Sequence, residues 1–317
     1  MRSLSSIEEQ APAPAAPAAT DRGDGTATCP VCPHRCRLRP GQLGRCRARR
    51  ESQGSVVAAN YGCVTSLALD PIEKKPLARY MPGTLVLSVG SYGCNLTCPF
   101  CQNHEIAQVG EGDVPWREIA PDELVAMAVR LRSQDKRVTG IAYTYNEPLV
   151  GWEYVRDCAE RAHREGLVNV LVTNGLANEY VIREIAPLID AANIDLKGFS
   201  PTFYERCAGG PDAFDCVRKT IQLLAAKPGC HVEVTTLIVP GMNDTESEID
   251  TASSWLAALP YQTPAGTVTG AEELTYHVTR FFPRWRLRDR GPTPVDTVYA
   301  CADVARRHLR HVYTGNC

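Results

Sequence analysis

From Thr84 onward, short apolar runs rich in β-branched residues alternate with longer helical patterns. This alternation is typical of βα units built around a parallel sheet. The predicted strands are TLVLSV, GIAYTY, VNVLVT, AANIDL, HVEVTTLIV and LTYHVT. The predicted helices between them are Pro121 to Arg132, Trp152 to Glu165, Glu179 to Leu188, Phe214 to Ala226 and Glu246 to Leu259. Because six such units are enough to curve into an open barrel, we expect an α/β fold with a partial (β/α)6 TIM-like barrel over residues 83–317.

A different polar motif follows each of the six strands. In chain order the motifs are GCNLTCPFCQN, NEP, TNG, DLKG, PGMND and the pair His277 and Arg280. In α/β barrels the active site is built from the carboxyl ends of the strands and the loops after them. The pattern therefore predicts one functional site at the barrel mouth.

The residues before the barrel divide into two parts. Residues 1–27 include the Pro/Ala stretch APAPAAPAAT, which has no hydrophobic face, and we predict a disordered tail there. We predict that residues 28–82 form a small N-terminal Cys-rich metal-binding extension and a lead-in segment. The N-terminus has no apolar core of a signal peptide, so we expect a cytoplasmic protein whose fourteen cysteines act as thiols or metal ligands.

Cys94, Cys98 and Cys101 form the motif C-x3-C-x2-C directly after the first strand. Gly93 and Asn95 favour a tight turn there, so three thiolates can cover one face of a metal cluster. A structural zinc or an electron-carrying cubane takes four protein ligands, whereas three leave one iron of a [4Fe–4S] cluster open to a small molecule. A zinc site closed by a fourth cysteine is the alternative.

At this motif the sequence resembles the radical S-adenosylmethionine (SAM) superfamily, in which an aromatic residue, here Phe100, precedes the last cysteine. The sequence NEP stands where that superfamily has Gly-Gly-Glu-Pro, and TNG and DLK are most similar to the pyruvate formate-lyase activating enzyme branch. The fuller set of motifs is similar to the radical SAM member of the AmmeMemoRadiSam system. That set consists of CPHRC, DPIEKKPL, YGCNLTCPFCQN, YTYNEP, NIDLK, VPGMND and PTPVDT.

The resemblance implies a [4Fe–4S] cluster and S-adenosyl-L-methionine as cofactors, and it assigns a role to each polar motif. Glu147 would hold the methionyl amino group, and Asn146 stands in place of a motif glycine. Asn174 and Asp195 would bind ribose hydroxyls or the carboxylate, and Lys197 would offset negative charge. Gly241 would let the backbone approach the adenine, and His277 would hydrogen-bond SAM. A helix-start carboxylate for Glu147, turn chemistry, a structural ion pair and a structural histidine are the alternatives. The segment DPIEKKPL either lines the site, as the resemblance implies, or is a run of charges on the surface.

A second cysteine group, Cys29, Cys32, Cys36 and Cys46, places four thiolates within eighteen residues. That count suits a closed site for zinc or rubredoxin-like iron, or an auxiliary iron–sulfur cluster. Residues 29–50 hold seven arginines and no acid: Arg35, Arg37, Arg39, Arg45, Arg47, Arg49 and Arg50. They form either a solvated basic face or a docking site for an acidic electron donor such as flavodoxin or ferredoxin.

The sequence thus predicts an enzyme that cleaves SAM reductively to a 5′-deoxyadenosyl radical, which abstracts hydrogen from an unidentified substrate of the AmmeMemoRadiSam type. A glycyl-radical activase acting on a partner protein is the alternative within this chemistry. A non-catalytic zinc or iron–sulfur electron-transfer module is the alternative of another class. The formal net charge of −2 argues against nucleic acid as a partner, and the lack of a long apolar run argues against the membrane.

Overall fold

The main sheet has eight strands whose order in the sheet is their order in the chain. The computed structural model describes residues 25–207, 209–210 and 212–317. The strands are β1 (Ser66–Pro71), β2 (Leu85–Gly90), β3 (Val138–Tyr143), β4 (Val168–Thr173), β5 (Ala191–Asp195), β6 (His231–Ile238), β7 (Thr275–Arg280) and β8 (His311–Gly315). Strands β2 to β8 are parallel, and β1 pairs antiparallel with β2 at one edge.

Helices on the outer face connect the parallel strands. They are α1 (Pro121–Gln134), α2 (Trp152–Arg164), α3 (Glu179–Ile185), α4 (Pro201–Arg206), α5 (Ala213–Ala225), α6 (Glu246–Ala257) and α7 (Val295–Ala305). Local sequence sets several of their starts. Helix α1 begins with Pro121, whose fixed φ and missing N–H suit the first turn. The Thr245 hydroxyl caps α6 by accepting a hydrogen bond from the Glu248 backbone N–H.

The α/β fold and the partial barrel are confirmed, and all six predicted strands are present. The structure adds a seventh parallel strand, β8, and the helix α7 before it. Strand β8 has only one buried side chain, that of Val312, among five residues. Its alternation of polar and apolar residues is therefore too weak to mark a strand in the sequence. The lead-in segment also contributes β1 to the main sheet, at the edge beside β2.

A plug from the lead-in segment closes the bottom of the barrel. Ile72 and Leu77 pack against small apolar side chains that face inward from four strands. Those side chains are Val86, Ala142, Val170 and Ala191. The plug is pinned from the far side of the barrel, where Glu233 accepts hydrogen bonds from the backbone N–H groups of Ala78 and Arg79 at 2.9 and 2.8 Å. In the part of the chain that the structure describes, the plug therefore covers the end of the barrel opposite the carboxyl ends of the strands.

The N-terminal extension consists of short antiparallel pairs. Ala27–Thr28 pairs with Arg37–Leu38, and Arg49–Ser52 pairs with Ser55–Ala58. Most of the predicted tail lies outside the described residues, but Ala27, its last residue, is buried and already paired. No helix in the described part of the chain is long and apolar enough to cross a membrane.

Candidate active site

A cavity opens at the carboxyl ends of the barrel strands, with an empty volume of about 1060 Å³ that includes its solvent-open mouth. It collects the motifs that follow β2, β3, β4 and β5. Its polar lining includes Cys94, Cys98, Cys101, Asn103, Tyr145, Asn146, Glu147, Asn174, Asp195 and Lys197. Eight of the predicted cofactor and cluster residues thus share one cavity. Parallel strands place their carboxyl ends at one edge, which is why distant motifs meet there.

The cluster loop, residues 91–103, carries the three cysteines and is held by backbone contacts on both sides. Gly93 has φ +90°, and a Cβ atom there would lie 2.5 Å from the Cys46 carbonyl oxygen, so glycine is required. The Asn95 amide donates to the Leu176 carbonyl at 2.6 Å. The loop is therefore clamped between the extension and the turn after β4.

The three thiols of the loop differ in their surroundings. Burial raises the pKa of Cys101 to about 11 and that of Cys94 well above its ordinary value. A hydrogen bond from the Cys207 thiol instead lowers the pKa of Cys98. Because thiols with raised pKa values stay protonated at neutral pH, metal binding here would release protons. Spacing in the sequence gave no reason to connect Cys207 with this loop.

Glu147 is 2% exposed and sits at the cavity wall as an oriented carboxylate. Its Oε1 accepts hydrogen bonds from the Leu149 backbone N–H at 2.9 Å and the Thr173 hydroxyl at 2.7 Å, and its Oε2 accepts one from the Asn174 backbone N–H at 2.7 Å. No described Lys, Arg or His pairs with it. Burial outweighs these hydrogen bonds and raises the pKa of Glu147 to about 7. This carboxylate suits a cationic ligand group.

The Asn146 side chain forms hydrogen bonds with the backbone of the cluster loop. Its amide nitrogen donates to the carbonyl oxygens of Tyr92 and Gly93 at 3.2 and 3.0 Å, and its Oδ1 accepts from the Ser91 N–H at 3.0 Å. In this structure the side chain therefore ties β3 to the start of the loop.

Asn174 also faces the cluster loop. Its amide nitrogen lies 2.9 Å from Asn95 Oδ1 and 3.5 Å from Cys94 Sγ, and its Oδ1 accepts from the Leu176 N–H at 2.8 Å. These contacts orient a cluster thiol. Binding of ribose hydroxyls or carboxylate by Asn174 stays a prediction.

Asp195 and Lys197 form an ion pair of 2.8 Å at the cavity wall beside the cysteines. Burial opposes the charge on Lys197, but Asp195 and the nearby Cys98 thiolate outweigh it and raise the pKa of the ammonium. A fixed positive charge next to thiolate ligands offsets part of the negative charge that a cluster would bring.

Two predicted site residues do not line this cavity. His277 faces the barrel interior one layer lower, where its Nε2 lies 2.5 Å from Glu233 Oε2 and its ring stacks on Tyr313. Gly241 lies in the loop after β6, where its N–H donates to Asp244 at 2.9 Å. Direct contact of these two residues with a ligand stays a prediction.

A buried polar cluster under the cavity joins the DPIEKKPL segment to Tyr145. Asp70 accepts hydrogen bonds from Lys75 Nζ at 2.8 Å and from the Tyr145 hydroxyl at 2.6 Å, and Lys75 Nζ lies 4.7 Å from the centre of the Tyr145 ring. These hydrogen bonds overcome burial and hold the pKa of Asp70 well below its ordinary value. Tyr145 adopts φ +74°, a conformation that costs energy for a residue with a side chain. The segment thus supports the cavity wall.

The four thiols of the extension lie together, next to the cluster loop. Burial and the neighbouring Cys29, Cys46 and Cys36 raise the pKa of Cys32 to about 12. Among the described residues, no group of three or more Cys, His, Asp or Glu side chains is arranged closely enough to hold a metal ion. Because these four cysteines precede the βα units in the chain, the sequence predicts that they lie away from the barrel mouth. Instead the extension folds back, and His34 Nε2 lies 2.8 Å from the Asn95 carbonyl oxygen.

The predicted basic face of the extension is only partly solvated. Arg49 is buried and forms an ion pair of 2.7 Å with Glu153 of α2. Arg50 pairs with Glu111 at 2.7 Å. Two of the seven arginines therefore attach the extension to the rest of the chain.

Comparison with known proteins gives a consistent result. The sequence model of the Radical SAM superfamily matches residues 88–253. The uncharacterized protein MJ0808 of Methanocaldococcus jannaschii is 36% identical over 295 residues, which cover 92% of this chain and 82% of that protein. The pyruvate formate-lyase 1-activating enzyme of Escherichia coli is 23% identical over 190 residues, which cover 58% of this chain and 71% of the enzyme.

Among solved structures, a radical SAM methyltransferase from Sphaerobacter thermophilus shares the fold with a TM-score of 0.51 and 15% identity, over 74% of this chain and 67% of that one. The residues matched by the superfamily model run from β2 to α6 and include the three cysteines of the cluster loop together with Glu147, Asn174 and Asp195. More than half of the chain, with most of the cavity wall, is thus accounted for by one family: the chain belongs to the radical SAM superfamily.

Proposed function

We propose that the cavity binds a [4Fe–4S] cluster on Cys94, Cys98 and Cys101 and SAM beside it. The observation that carries this proposal is the pairing of three clustered thiols with a buried carboxylate, Glu147, that lacks a described cation partner. An amino group of a ligand would supply the missing charge and meet acceptor oxygens already oriented by three hydrogen bonds. The donor set therefore fits both groups.

The chain's own residues have separable tasks in this proposal. Asn174 and Asn95 fix the orientation of the Cys94 thiol, and Asn146 fixes the backbone that leads into it. Lys197 holds a positive charge near two ligand thiolates, and Asp195 keeps that ammonium in place. The plug under the barrel keeps water from entering from below. When bound, the cluster and SAM supply one-electron cleavage of the S–C5′ bond and a 5′-deoxyadenosyl radical that abstracts hydrogen from the substrate.

For the substrate we propose a partner or metabolite of the AmmeMemoRadiSam type, since the motif set extends through the extension and the plug. Activation of a glycyl-radical partner protein is the second candidate, favoured by the similarity to the pyruvate formate-lyase 1-activating enzyme. A flavodoxin or ferredoxin in the cytoplasm is the proposed electron source. The two substrate classes differ in outcome, because only the second leaves a glycyl radical on the partner, which is visible by EPR.

The test is anaerobic reconstitution with iron and sulfide, followed by reduction in the presence of SAM and chromatographic detection of 5′-deoxyadenosine. We expect product from the wild-type chain and none from Cys94→Ala, Cys98→Ala or Cys101→Ala, because two thiolates cannot retain a cluster with one open iron. Product at wild-type levels from all three variants would contradict the assignment. If the chain is instead a zinc or electron-transfer module, even the wild-type protein would form no 5′-deoxyadenosine.

We propose further that Cys29, Cys32, Cys36 and Cys46 hold a second metal centre, either zinc, iron or an auxiliary cluster, that does not touch SAM. The burial of Cys29, Cys32 and Cys46 supports this, with Cys36 half-buried beside them, as does the number of thiols, which is enough to close a site. A quadruple Cys→Ser variant should lose one metal centre while the EPR signal of the open cluster still responds to SAM. Unchanged metal content, or loss of that response in a folded variant, would refute this division.

A further inference from the structure

A basic loop crosses the cluster loop at the cavity end of the barrel. This arginine strap, residues 281–293, follows β7 and has the sequence FFPRWRLRDRGPT. Both of its ends are anchored, because the backbone groups of Phe281 and Thr293 bond to each other and the Thr293 hydroxyl donates to the Ile238 carbonyl at 2.6 Å. Leu287 anchors the middle by packing into the core. The strap is thus a built element of the barrel mouth.

The tip of the strap rests on the residues that carry the cluster thiols. The Arg286 backbone N–H donates to the Pro99 carbonyl at 3.0 Å, and Pro99 is the neighbour of Cys98 in the chain. The Trp285 ring stacks on His104 at 5.7 Å, and His104 Nδ1 lies 3.3 Å from the Cys101 carbonyl oxygen. Trp285 holds φ +46°, so the tip is fixed in an unfavourable backbone conformation.

The outer side of the strap carries unneutralised positive charge. Arg284, Arg286 and Arg288 are exposed and form no ion pair with any residue that the structure describes. The acid inside the strap, Asp289, already lies 3.3 Å from Arg290. Glu105, the chain neighbour of His104, is an exposed acid. Trp285 adds a half-buried aromatic ring, with the Arg286 guanidinium 4.3 Å from its centre. An aromatic centre ringed by arginines is a composition typical of protein interfaces.

We propose that the arginine strap is the docking surface for an acidic one-electron carrier protein of the flavodoxin or ferredoxin class. This inference rests on the proposed function, since only a redox cluster needs such a partner. The reduced carrier gives up one electron, the cluster held by the loop gains it, and the carrier leaves in its oxidised form. Carboxylates of the carrier would pair with Arg284, Arg286 and Arg288 at the point where the strap contacts Pro99 and His104 of the cysteine-bearing segment.

The exposed arginines of the extension are the competing surface. Arg35, Arg39 and Arg45 are also exposed, but they belong to the segment that carries the four-thiol group. Both surfaces contact the three-thiol loop, the extension through His34 at Asn95 and the strap through Arg286 at Pro99, next to Cys98. Variants of the two surfaces therefore distinguish which of them binds the carrier.

The experiment measures binding of a reduced flavodoxin to the cluster-loaded protein and, by stopped-flow absorbance, the rate of cluster reduction. The strap variant is R284Q/R286Q/R288Q. The first control is R130Q/K136Q/R164Q, which removes the same charge from exposed positions at the opposite end of the barrel strands. The second control is R35Q/R39Q/R45Q, and R284K/R286K/R288K tests rescue by charge.

We expect the strap variant alone to bind about tenfold more weakly, because three exposed ion pairs together are worth about that factor. Its rate of reduction by flavodoxin should fall in parallel and lose part of its dependence on ionic strength, and the lysine variant should recover most of the binding. Reduction by dithionite should match the wild type, which separates docking from cluster integrity.

Binding unchanged in the strap variant, an equal loss in either control, or no binding of flavodoxin or ferredoxin to the wild type would overturn the inference. Tighter binding of a mixed-sequence oligonucleotide than of flavodoxin at the strap would overturn it as well. Failure of the proposed function looks different: dithionite reduces the wild-type protein, but no 5′-deoxyadenosine forms. Binding of flavodoxin then still decides whether the strap is a docking surface.

Discussion

Substitution of Glu147 by glutamine tests how the cavity recognises its ligand. Glutamine keeps the shape of the side chain and one acceptor oxygen. If that oxygen keeps the bonds from Leu149 and Thr173, the new NH₂ group faces the Asn174 backbone N–H, and two donors then oppose each other. The variant therefore loses the negative charge and one buried hydrogen bond, while the cluster thiols are untouched.

The magnitude follows from burial. An exposed ion pair contributes about 0–1 kcal/mol, because water screens it. Glu147 is 2% exposed, and its oxygens are already oriented by backbone and hydroxyl donors. Removing one partner of such a buried charged pair costs about 2–5 kcal/mol. We expect a loss of about 3 kcal/mol in the free energy of SAM binding, which corresponds to roughly 150-fold in Kd.

The assay is equilibrium binding of SAM to anaerobically reconstituted protein at pH 8, where the carboxylate is ionised. Iron content and the absorbance of the cluster should equal those of the wild type. Glu233→Gln is the matched control, because Glu233 is also a buried carboxylate with several hydrogen bonds but lies below the cavity. Unchanged SAM affinity in Glu147→Gln, or an equal loss in Glu233→Gln, would refute the assignment of the amino-group contact.

Three further outcomes are expected. Burial raises the pKa of Glu147 from 4.5 to about 7, so between these pH values the unfolded chain of SAM-free protein releases a proton that the folded chain keeps. The free energy of unfolding of the wild type should therefore fall by about 3 kcal/mol relative to that of Glu147→Gln as the pH rises from 4.5 to 7. A difference in unfolding free energy that does not change with pH would contradict the raised pKa. Gly93→Ala should prevent retention of iron, because the new Cβ would meet the Cys46 carbonyl oxygen. The control is Gly83→Ala, where φ is +80° and no atom lies within 4 Å of the new Cβ, so this variant should keep its iron and lose only about 1 kcal/mol of unfolding free energy. Equal iron content in the two variants would show that the close approach at Gly93 does not matter. Tyr145→Phe should lower the unfolding free energy by about 2 kcal/mol through loss of the hydrogen bond to Asp70, measured by denaturant titration, and unchanged stability would mean that this bond contributes nothing.

Local patterns along the chain are enough to predict the βα order, the place of each polar motif and the three-thiol loop. Periodicity and β-branched runs mark strands locally, and the geometry of parallel strands then brings their carboxyl ends together. The sequence alone therefore predicts that Glu147, Asn174 and Asp195 lie near Cys94, and all four line one cavity. The same reasoning fails for β8, whose residues show too little alternation, and for His277, whose depth in the barrel depends on strand register.

Contacts between segments that share no sequence pattern follow from how the segments pack in three dimensions. The Asp70 carboxylate meets the Tyr145 hydroxyl across 75 positions of sequence, and His34 reaches the Asn95 carbonyl across 61. Cys207 lies against Cys98, although no spacing rule joins them. Side-chain distances of this kind depend on how the plug, the extension and the strap pack against the barrel. Packing is set by the summed burial of many residues, so no local stretch of sequence records it.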